Sequence, residues 1–226
     1  MAGKMTKKEL EKPDTLQLIL NKFTVYVSEN KQKIYLISGI ITLIALLSSG
    51  WYLYRMNYEN NAQKLYAKSQ FEGMKITLQG GSPDQNTVKM YQDIVTQYQG
   101  SKAAMMANYQ LGNIYYNLGD IDASIKAYTE FLKEAPEGND WKILAYNGLG
   151  YCYEVKNDLK NALESFEKAA SIKSAGSFEG ITYRNIARIY EEMKNKEKAL
   201  EYYQKALSKT TDPSMEHLLK RKISTI

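Results

Sequence analysis

The stretch from Ile34 to Tyr54, IYLISGIITLIALLSSGWYLY, constrains the fold of this chain more than any other segment. It contains 21 residues without a charge and lies between Lys33 and Arg55. A helix of this length spans about 30 Å at roughly 1.5 Å per residue, which matches the hydrocarbon core of a bilayer. Backbone groups find no water there, so a spanning segment must be helical throughout. The sequence therefore predicts a transmembrane helix at 34–54.

Two other interpretations fit an apolar stretch near the N-terminus. A buried helix of a soluble protein rarely runs this long without a charge. A signal peptide places its apolar core close to the N-terminus, whereas 33 residues precede this one. Ser48, Ser49 and Gly50 are small enough for a processing site, so cleavage stays an alternative to the favoured interpretation, an uncleaved anchor.

Basic residues are concentrated before the predicted span. Residues 1–55 carry 8 Lys and Arg against 4 acidic residues, whereas residues 56–226 carry 22 against 21. This excess predicts a cytoplasmic N-terminus, with the larger domain on the other side of the membrane. The nearly neutral remainder has no broad basic surface, so we expect no nucleic acid partner. The lysines before the span are Lys4, Lys7, Lys8, Lys12, Lys22, Lys31 and Lys33.

The basic head at 1–33 also contains a predicted amphipathic helix, which Asp14 or Thr15 would cap after Pro13. We expect this helix to lie at the cytoplasmic face of the membrane, either on lipid headgroups or against a membrane partner. Its apolar positions, at helical spacing, are Leu16, Ile19, Leu20, Phe23 and Val27.

Internal similarity begins near residue 105, and three similar segments follow one another at 108–136, 146–170 and 183–207. Each has a small residue in its first helix and another in its second, which allows the two helices to approach closely. Each also has a tyrosine that fills the gap between neighbouring hairpins, namely Tyr115, Tyr153 and Tyr190. The equivalent small residues are Gly112, Gly150 and Ala187, then Ser124, Ala162 and Ala199, followed by the aromatic residues Tyr128, Phe166 and Tyr203.

These residues resemble the tetratricopeptide repeat, a helix–turn–helix unit of about 34 residues with the pattern W-x₂-L-G-x₂-Y…A-x₃-F…P. The chain is therefore predicted to be all-α, with a single N-terminal transmembrane helix followed by a tetratricopeptide-repeat α-solenoid at 55–226. Clear units are predicted at 105–136, 143–173 and 180–211, a degenerate unit at 58–98 and a capping helix at 214–224. In the degenerate unit we expect a long first helix lined by Tyr66, Phe71 and Met74, which ends at Gly80, Gly81, Ser82 and Pro83.

The first helix of each unit lines the concave face of such an array, where partners bind. Tyrosine offers an apolar face with a polar tip, and arginine suits carboxylates. A known set of Lys, Asn and Arg that grips a terminal carboxylate is not supported, because Tyr109, Gly148 and Ile181 occupy three of its positions. The predicted partner-binding groove comprises Tyr109, Asn113, Tyr116, Asn147, Tyr151, Arg184 and Arg188.

Catalytic and metal-binding patterns are not apparent. The only cysteine, Cys152, lies inside a repeat, and the only histidine, His217, lies in the capping helix, so they are not expected to meet. A single cysteine also permits no disulfide within the chain. We expect no enzyme activity, no cofactor, no metal and no small-molecule substrate.

A basic head, one span that ends in Gly50-Trp51-Tyr52 and a small repeat domain together look like the YfgM family, the ancillary subunits of the bacterial SecYEG translocon. The resemblance implies an inner-membrane protein with a periplasmic repeat domain that works beside the translocon and periplasmic chaperones. The residues themselves indicate a non-catalytic, membrane-anchored scaffold that binds proteins or peptides. Two alternatives are a coordinator of envelope assembly or cell division and an accessory or sensor subunit of a membrane enzyme.

Overall fold

The structure is a computed structural model that describes residues 15–81, 84–138, 140–172 and 178–226. Within these ranges it contains ten helices and no strand, which confirms the all-α fold class. The chain divides into two units, Met1–Met56 and Asn57–Ile226. Several residues used in the predictions lie outside the described ranges, namely Lys4, Lys7, Lys8, Lys12, Pro13, Asp14, Ser82, Pro83 and the end of the second repeat at residue 173.

The first unit contains helix α1, Thr15–Glu29, and the beginning of helix α2, Lys31–Leu78. α1 is the helix that the apolar spacing predicts, and none of its residues is buried. α2 is long and apolar enough to cross a membrane, and none of its apolar window is buried, unlike the core helix of a soluble protein. α2 is therefore a candidate membrane span.

Helix α2 differs from the prediction in its length. The sequence analysis treats 34–54 and the first helix of the degenerate unit as separate elements, but α2 runs for 48 residues without a break. In the second unit, Tyr66 of α2 is buried against Val88 and Tyr91 of helix α3, Gln85–Gln97. The expectation for Phe71 and Met74 is wrong, because both side chains are more than half exposed. Phe71 follows Tyr66 by five positions, which turns it by about 140° from the buried face.

Three helical hairpins follow α3. In the first, α4 (Lys102–Asn117) pairs with α5 (Ile121–Glu134). In the second, α6 (Asp140–Val155) pairs with α7 (Leu159–Ser171). In the third, α8 (Glu179–Glu192) pairs with α9 (Lys196–Lys209). The same turn joins each pair: Gly119, Asn157 and Lys194 have φ values of 79°, 58° and 61°. An Asp or Asn after each of these turns caps the second helix through its side chain; these residues are Asp120, Asp158 and Asn195.

The small residues of the repeats lie where the prediction places them, at the crossing of the two helices. A Cβ atom on Gly112 would lie 2.6 Å from the ring of Tyr128, and one on Gly150 would lie 2.4 Å from the ring of Phe166. In the third hairpin, Ala187 and Tyr203 are both buried. In the first two hairpins, the aromatic ring of the second helix therefore packs directly onto the backbone of the first helix.

Helix α10, Pro213–Thr225, packs against the third hairpin at the C-terminal end of the array, in the region where the sequence predicts a capping helix. Leu219 is fully buried against the third hairpin. Glu191 of α8 accepts hydrogen bonds from Lys222 of α10 at 2.8 Å and from the hydroxyl of Tyr203 of α9 at 2.6 Å. One carboxylate thus joins three helices at this end.

Candidate functional site

A cleft of about 400 Å³ lies between α4, α6 and the beginning of α8. Its walls are first helices of three successive hairpins, which is the face that the register assigns to partner binding. Five of the seven predicted groove residues line it: Tyr109, Asn113, Tyr116, Asn147 and Tyr151. The other lining residues are Asn117, Tyr128, Leu144, Gly148, Phe178 and Ile181.

The floor of the cleft is aromatic. Tyr128 packs onto the backbone at Gly148, where a Cβ atom would lie 2.5 Å from its ring, and donates a hydrogen bond of 2.7 Å to Oδ1 of Asn113. Burial raises the pKa of Tyr128 well above its usual value, so its hydroxyl stays protonated and serves as this donor. The Asn113 side chain is held in place, and its amide nitrogen is not bonded to another described residue.

Tyr109 belongs to the floor more than to an exposed groove. Its side chain is 9% exposed, and its ring centroid lies 5.1 Å from that of Trp141 and 5.5 Å from that of Phe131. Trp141 is 41% exposed and covers Tyr109 from the N-terminal end of α6. Tyr109 can therefore offer a ligand only the small part of its side chain that is exposed.

A buried hydrogen-bond network supports the wall formed by α6. Asn147 donates to Oγ1 of Thr182 at 3.0 Å and accepts from Asn185 at 3.0 Å. Asn185 also donates to the hydroxyl of Tyr151 at 2.7 Å. Asn147 and Tyr151 thus contact the cleft with part of their surface, while α8 fixes the position of both side chains.

The two predicted arginines do not line the cleft. Arg184 donates to Oδ1 of Asn185 at 3.1 Å and to the sulfur of Met215 at 3.7 Å, so its guanidinium is held at α8 and α10. Arg188 forms an ion pair with Glu154 of α6. Helical spacing places both arginines on the first-helix side, but Arg184 is bound to Asn185 and Met215 and Arg188 to Glu154, and neither arginine is among the residues that line the cleft.

Tyr116 forms the open edge of the site. Its ring is half-buried, and its hydroxyl has no hydrogen-bond partner among the described residues. Burial raises the pKa of Tyr116, with smaller contributions from Cys152 and Tyr151, while the positive charge of Arg188 opposes the shift. Tyr116 is therefore a neutral hydroxyl that can donate to a ligand.

Six of the lining residues are absent from the predicted groove set, and the sequence carries a signal for two of them, Tyr128 and Gly148. Tyr128 matches Phe166 and Tyr203 as a packing residue, but its hydroxyl distinguishes it from phenylalanine. Gly148 precedes the repeat glycine Gly150 by two positions. Because Gly148 has no side chain, the Tyr128 ring can approach α6 closely. Phe178 lies just before α8, outside the repeat pattern.

The remaining reactive side chains are not among the residues that line this cleft. Cys152 is fully buried with its sulfur 3.1 Å from Oγ of Ser124, and burial raises the pKa of its thiol. His217 is exposed on α10. Within residues 15–81, 84–138, 140–172 and 178–226, no three His, Cys, Asp or Glu side chains are grouped as a metal site requires.

Comparison with known proteins identifies the repeats. Residues 109–177 and 181–212 match the tetratricopeptide repeat. A search of curated proteins gave no match. The crystal structure of a MamA protein is similar with a TM-score of 0.52 and 16% identity, covering 72% of this chain and 84% of that chain. A putative kinesin light chain from Podosopora anserina with nearly identical TPR-like repeats has a TM-score of 0.55 and 11% identity, covering 74% and 85%. These likenesses show the fold.

Proposed function

We propose that this protein is a non-catalytic, membrane-anchored scaffold that binds a segment of another protein in the cleft between α4 and α6. Tetratricopeptide repeats are typically protein-interaction modules, and no enzyme family is indicated. The observation that carries the proposal is the cleft itself, because it joins a rigid aromatic floor to neutral hydrogen-bonding groups on an open edge. Preformed surfaces of this kind bind with little loss of conformational entropy.

We further propose that the scaffold is an ancillary subunit of the SecYEG translocon, linked to periplasmic chaperones, in the bacterial inner membrane. The support is the resemblance of the whole chain to the YfgM family, the candidate span in α2 and the excess of lysine before it. In this arrangement the N-terminus is cytoplasmic and the repeats are periplasmic.

The partner can be identified by photocrosslinking in native membranes. A photoreactive amino acid at Tyr116 samples the cleft, one at Ala45 samples the span, and one at the exposed Gln204 of α9 is the control. We expect translocon subunits to crosslink at position 45 and other secreted or periplasmic proteins at position 116, with neither set at position 204. Recovery of only cell-division or wall-synthesis proteins would exclude the translocon assignment and favour the alternative coordinator.

The cleft is tested by a pair of tyrosine variants. Tyr116→Ala removes a half-buried ring from the cleft, and Tyr146→Ala removes a half-buried ring from a different groove between α5 and α7. We expect Tyr116→Ala to reduce crosslinking from position 117 at least about fivefold, as for the loss of one interface tyrosine, while Tyr146→Ala leaves it unchanged. Equal losses in both variants would mean that stability, and not the cleft, determines capture.

The orientation of the chain in the membrane is tested by a separate measurement. Gln204→Cys in the repeats and Lys22→Cys in the head are compared in a Cys152→Ser background, using a maleimide that does not cross membranes. We expect labelling of Gln204→Cys and not of Lys22→Cys in cells whose outer membrane has been opened. The opposite pattern would place the repeats in the cytoplasm.

A further inference from the structure

Charged side chains are absent from the described lining of the cleft between α4, α6 and α8. This is not a general feature of the array. The groove between α3 and α5 contains Lys126, Glu130 and Glu134, and the groove between α5 and α7 contains Lys133, Glu164 and Lys168. Among these three grooves, charged residues line the two between second helices, whereas the described lining of the cleft between first helices is uncharged.

Arg188, whose charge acts on Tyr116, is held in an ion pair beside the cleft. Its guanidinium forms this pair with Glu154. The side chain of Glu154 is 18% exposed and that of Arg188 is 34% exposed, so the pair is partly shielded from solvent. The Arg188–Glu154 pair therefore has no net charge while Glu154 is ionised.

The neutral lining has a consequence for the ligand. A carboxylate that enters a partly dehydrated cleft loses hydration, and neutral hydrogen-bond donors compensate for less of that loss than a cation does. The described lining offers the amides of Asn113 and Asn117 and the hydroxyl of Tyr116 as donors, and it includes no cation. These groups match the carbonyl groups of an extended main chain, which need donors but no counter-charge.

The opposite wall suits an apolar side chain. Leu144 and Ile181 line it together with the ring of Tyr151, and Ile181 is 42% exposed. A volume of about 400 Å³ admits one large or two medium-sized apolar side chains beside a main-chain segment. Burial of such side chains is the main favourable term that the cleft offers.

We propose that the cleft selects an extended, uncharged polypeptide segment with an apolar side chain, and that Glu154 enforces this selection by neutralising Arg188. This inference rests on the proposed role of the cleft as a protein-binding site. Glu154 is a specificity-determining residue that acts through Arg188, and it does not contact the segment itself. Without the negative charge of Glu154, Arg188 becomes available for a carboxylate of the ligand.

The test uses the full-length chain in detergent with Trp51→Phe, so that Trp141 at the edge of Tyr109 is the only tryptophan. Two ten-residue glycine–serine peptides serve as probes, both with a Leu-Phe pair. One has blocked ends, and the other ends in a free carboxylate directly after Leu-Phe. Binding is followed by Trp141 fluorescence in the parent protein, in Glu154→Gln, in Arg188→Gln and in the double variant.

We expect the parent protein to bind the blocked probe about tenfold more tightly than the carboxylate probe, a difference of about 1.4 kcal/mol. Glu154→Gln should reduce this ratio to about threefold or less, because it releases one cation. The double variant should keep the original ratio, and Arg188→Gln should keep or increase it because the negative charge of Glu154 remains, which attributes the change in Glu154→Gln to Arg188. The difference in this ratio between Glu154→Gln and the parent protein should also decrease with added salt.

The outcomes separate the two proposals. Equal binding of both probes to the parent protein, or an unchanged ratio in Glu154→Gln, would overturn the charge selection and leave the protein-binding cleft in place. Tighter binding of the carboxylate probe to the parent protein would also overturn it. Binding of neither probe, together with no crosslinking at position 116 in membranes, would overturn both.

Discussion

Asn185 of α8 donates a hydrogen bond of 3.0 Å to Oδ1 of Asn147 of α6, and neither side chain is more than 8% exposed. The same Asn185 amide reaches the hydroxyl of Tyr151, and Arg184 donates to its oxygen. Two successive first helices are thus joined by polar groups at the back of the cleft wall. The network holds Tyr151 in place, so it links the packing of the repeats to the shape of the cleft.

Asn185→Ala should lower the free energy of unfolding by about 2 to 4 kcal/mol, because it leaves the buried oxygen of Asn147 without its donor and opens a small cavity. The measurement is urea unfolding of the full-length chain in detergent, followed by circular dichroism. Gln204→Ala on the exposed face of α9 is the control and should change stability by less than about 0.5 kcal/mol. If the two variants unfold at the same urea concentration, the network does not join the repeats.

Replacing the glycine at the helix crossing with alanine should lower the stability of the repeats. Gly150→Ala places a Cβ atom 2.4 Å from the buried ring of Phe166, which must move within a filled core, so we expect a loss of about 1 to 3 kcal/mol. Gly73→Ala on α2 is the matched control, since its Cβ atom would meet nothing nearer than 3.9 Å. The control should be neutral or up to about 1 kcal/mol more stable, because alanine favours the helix. A tolerated Gly150→Ala would show that the second helix can shift without cost.

The sequence predicts the structure best at positions that have the same packing role in every repeat. The small residues at 112, 150 and 187 and the aromatic residues opposite them lie at the crossings that the pattern predicts. Tyr115, expected to pack between hairpins, is half-buried and accepts a hydrogen bond of 2.7 Å from Gln92 of α3. Local spacing suffices for these residues because the hairpin geometry repeats.

The cleft was harder to predict because its edges depend on contacts between repeats. Helical spacing identifies the side of α8 that carries Arg184 and Arg188, but their partners lie at Met215 and Glu154. Tyr109 is on the correct side of α4, yet Trp141, far along the chain, covers its ring. The sequence also lacks a boundary within α2, since no proline interrupts the helix between the apolar segment and Leu78.

Lys194 should be replaceable by glycine with a gain in stability. Its φ of 61° lies in the left-handed region, where a Cβ atom crowds the backbone, and the equivalent residue of the first hairpin is glycine, Gly119. We expect Lys194→Gly to stabilise the third hairpin by about 0.5 to 1 kcal/mol, measured by thermal unfolding. Lys198→Gly, inside α9 and also exposed, is the control and should destabilise by about 1 kcal/mol. A loss in both variants would contradict the strain at Lys194.

The junction of α8, α9 and α10 should make stability sensitive to acid. Hydrogen bonds from Lys222 and then from Tyr203 lower the pKa of Glu191 below its usual value, because both favour the ionised carboxylate. A group whose pKa is lower in the folded chain contributes stability that is fully present above its unfolded pKa of about 4.3. That contribution is lost as the pH falls through the folded pKa. The side chain is 37% exposed, so solvent screening limits the contribution to about 0.5 to 1 kcal/mol.

Glu191→Gln should therefore be less stable than the parent protein at pH 7, and the difference should shrink as the pH is lowered from about 5 to about 3. Thermal unfolding of both proteins across this range provides the measurement. Glu216→Gln, which removes the surface pair with Lys220 on α10, is the control for a change of charge on the capping helix. Its effect at pH 7 should be smaller, because that pair joins two turns of one helix and not three helices. A difference between Glu191→Gln and the parent protein that stays constant from pH 7 to pH 3 would mean that the ionised carboxylate does not hold α10 to the last repeat.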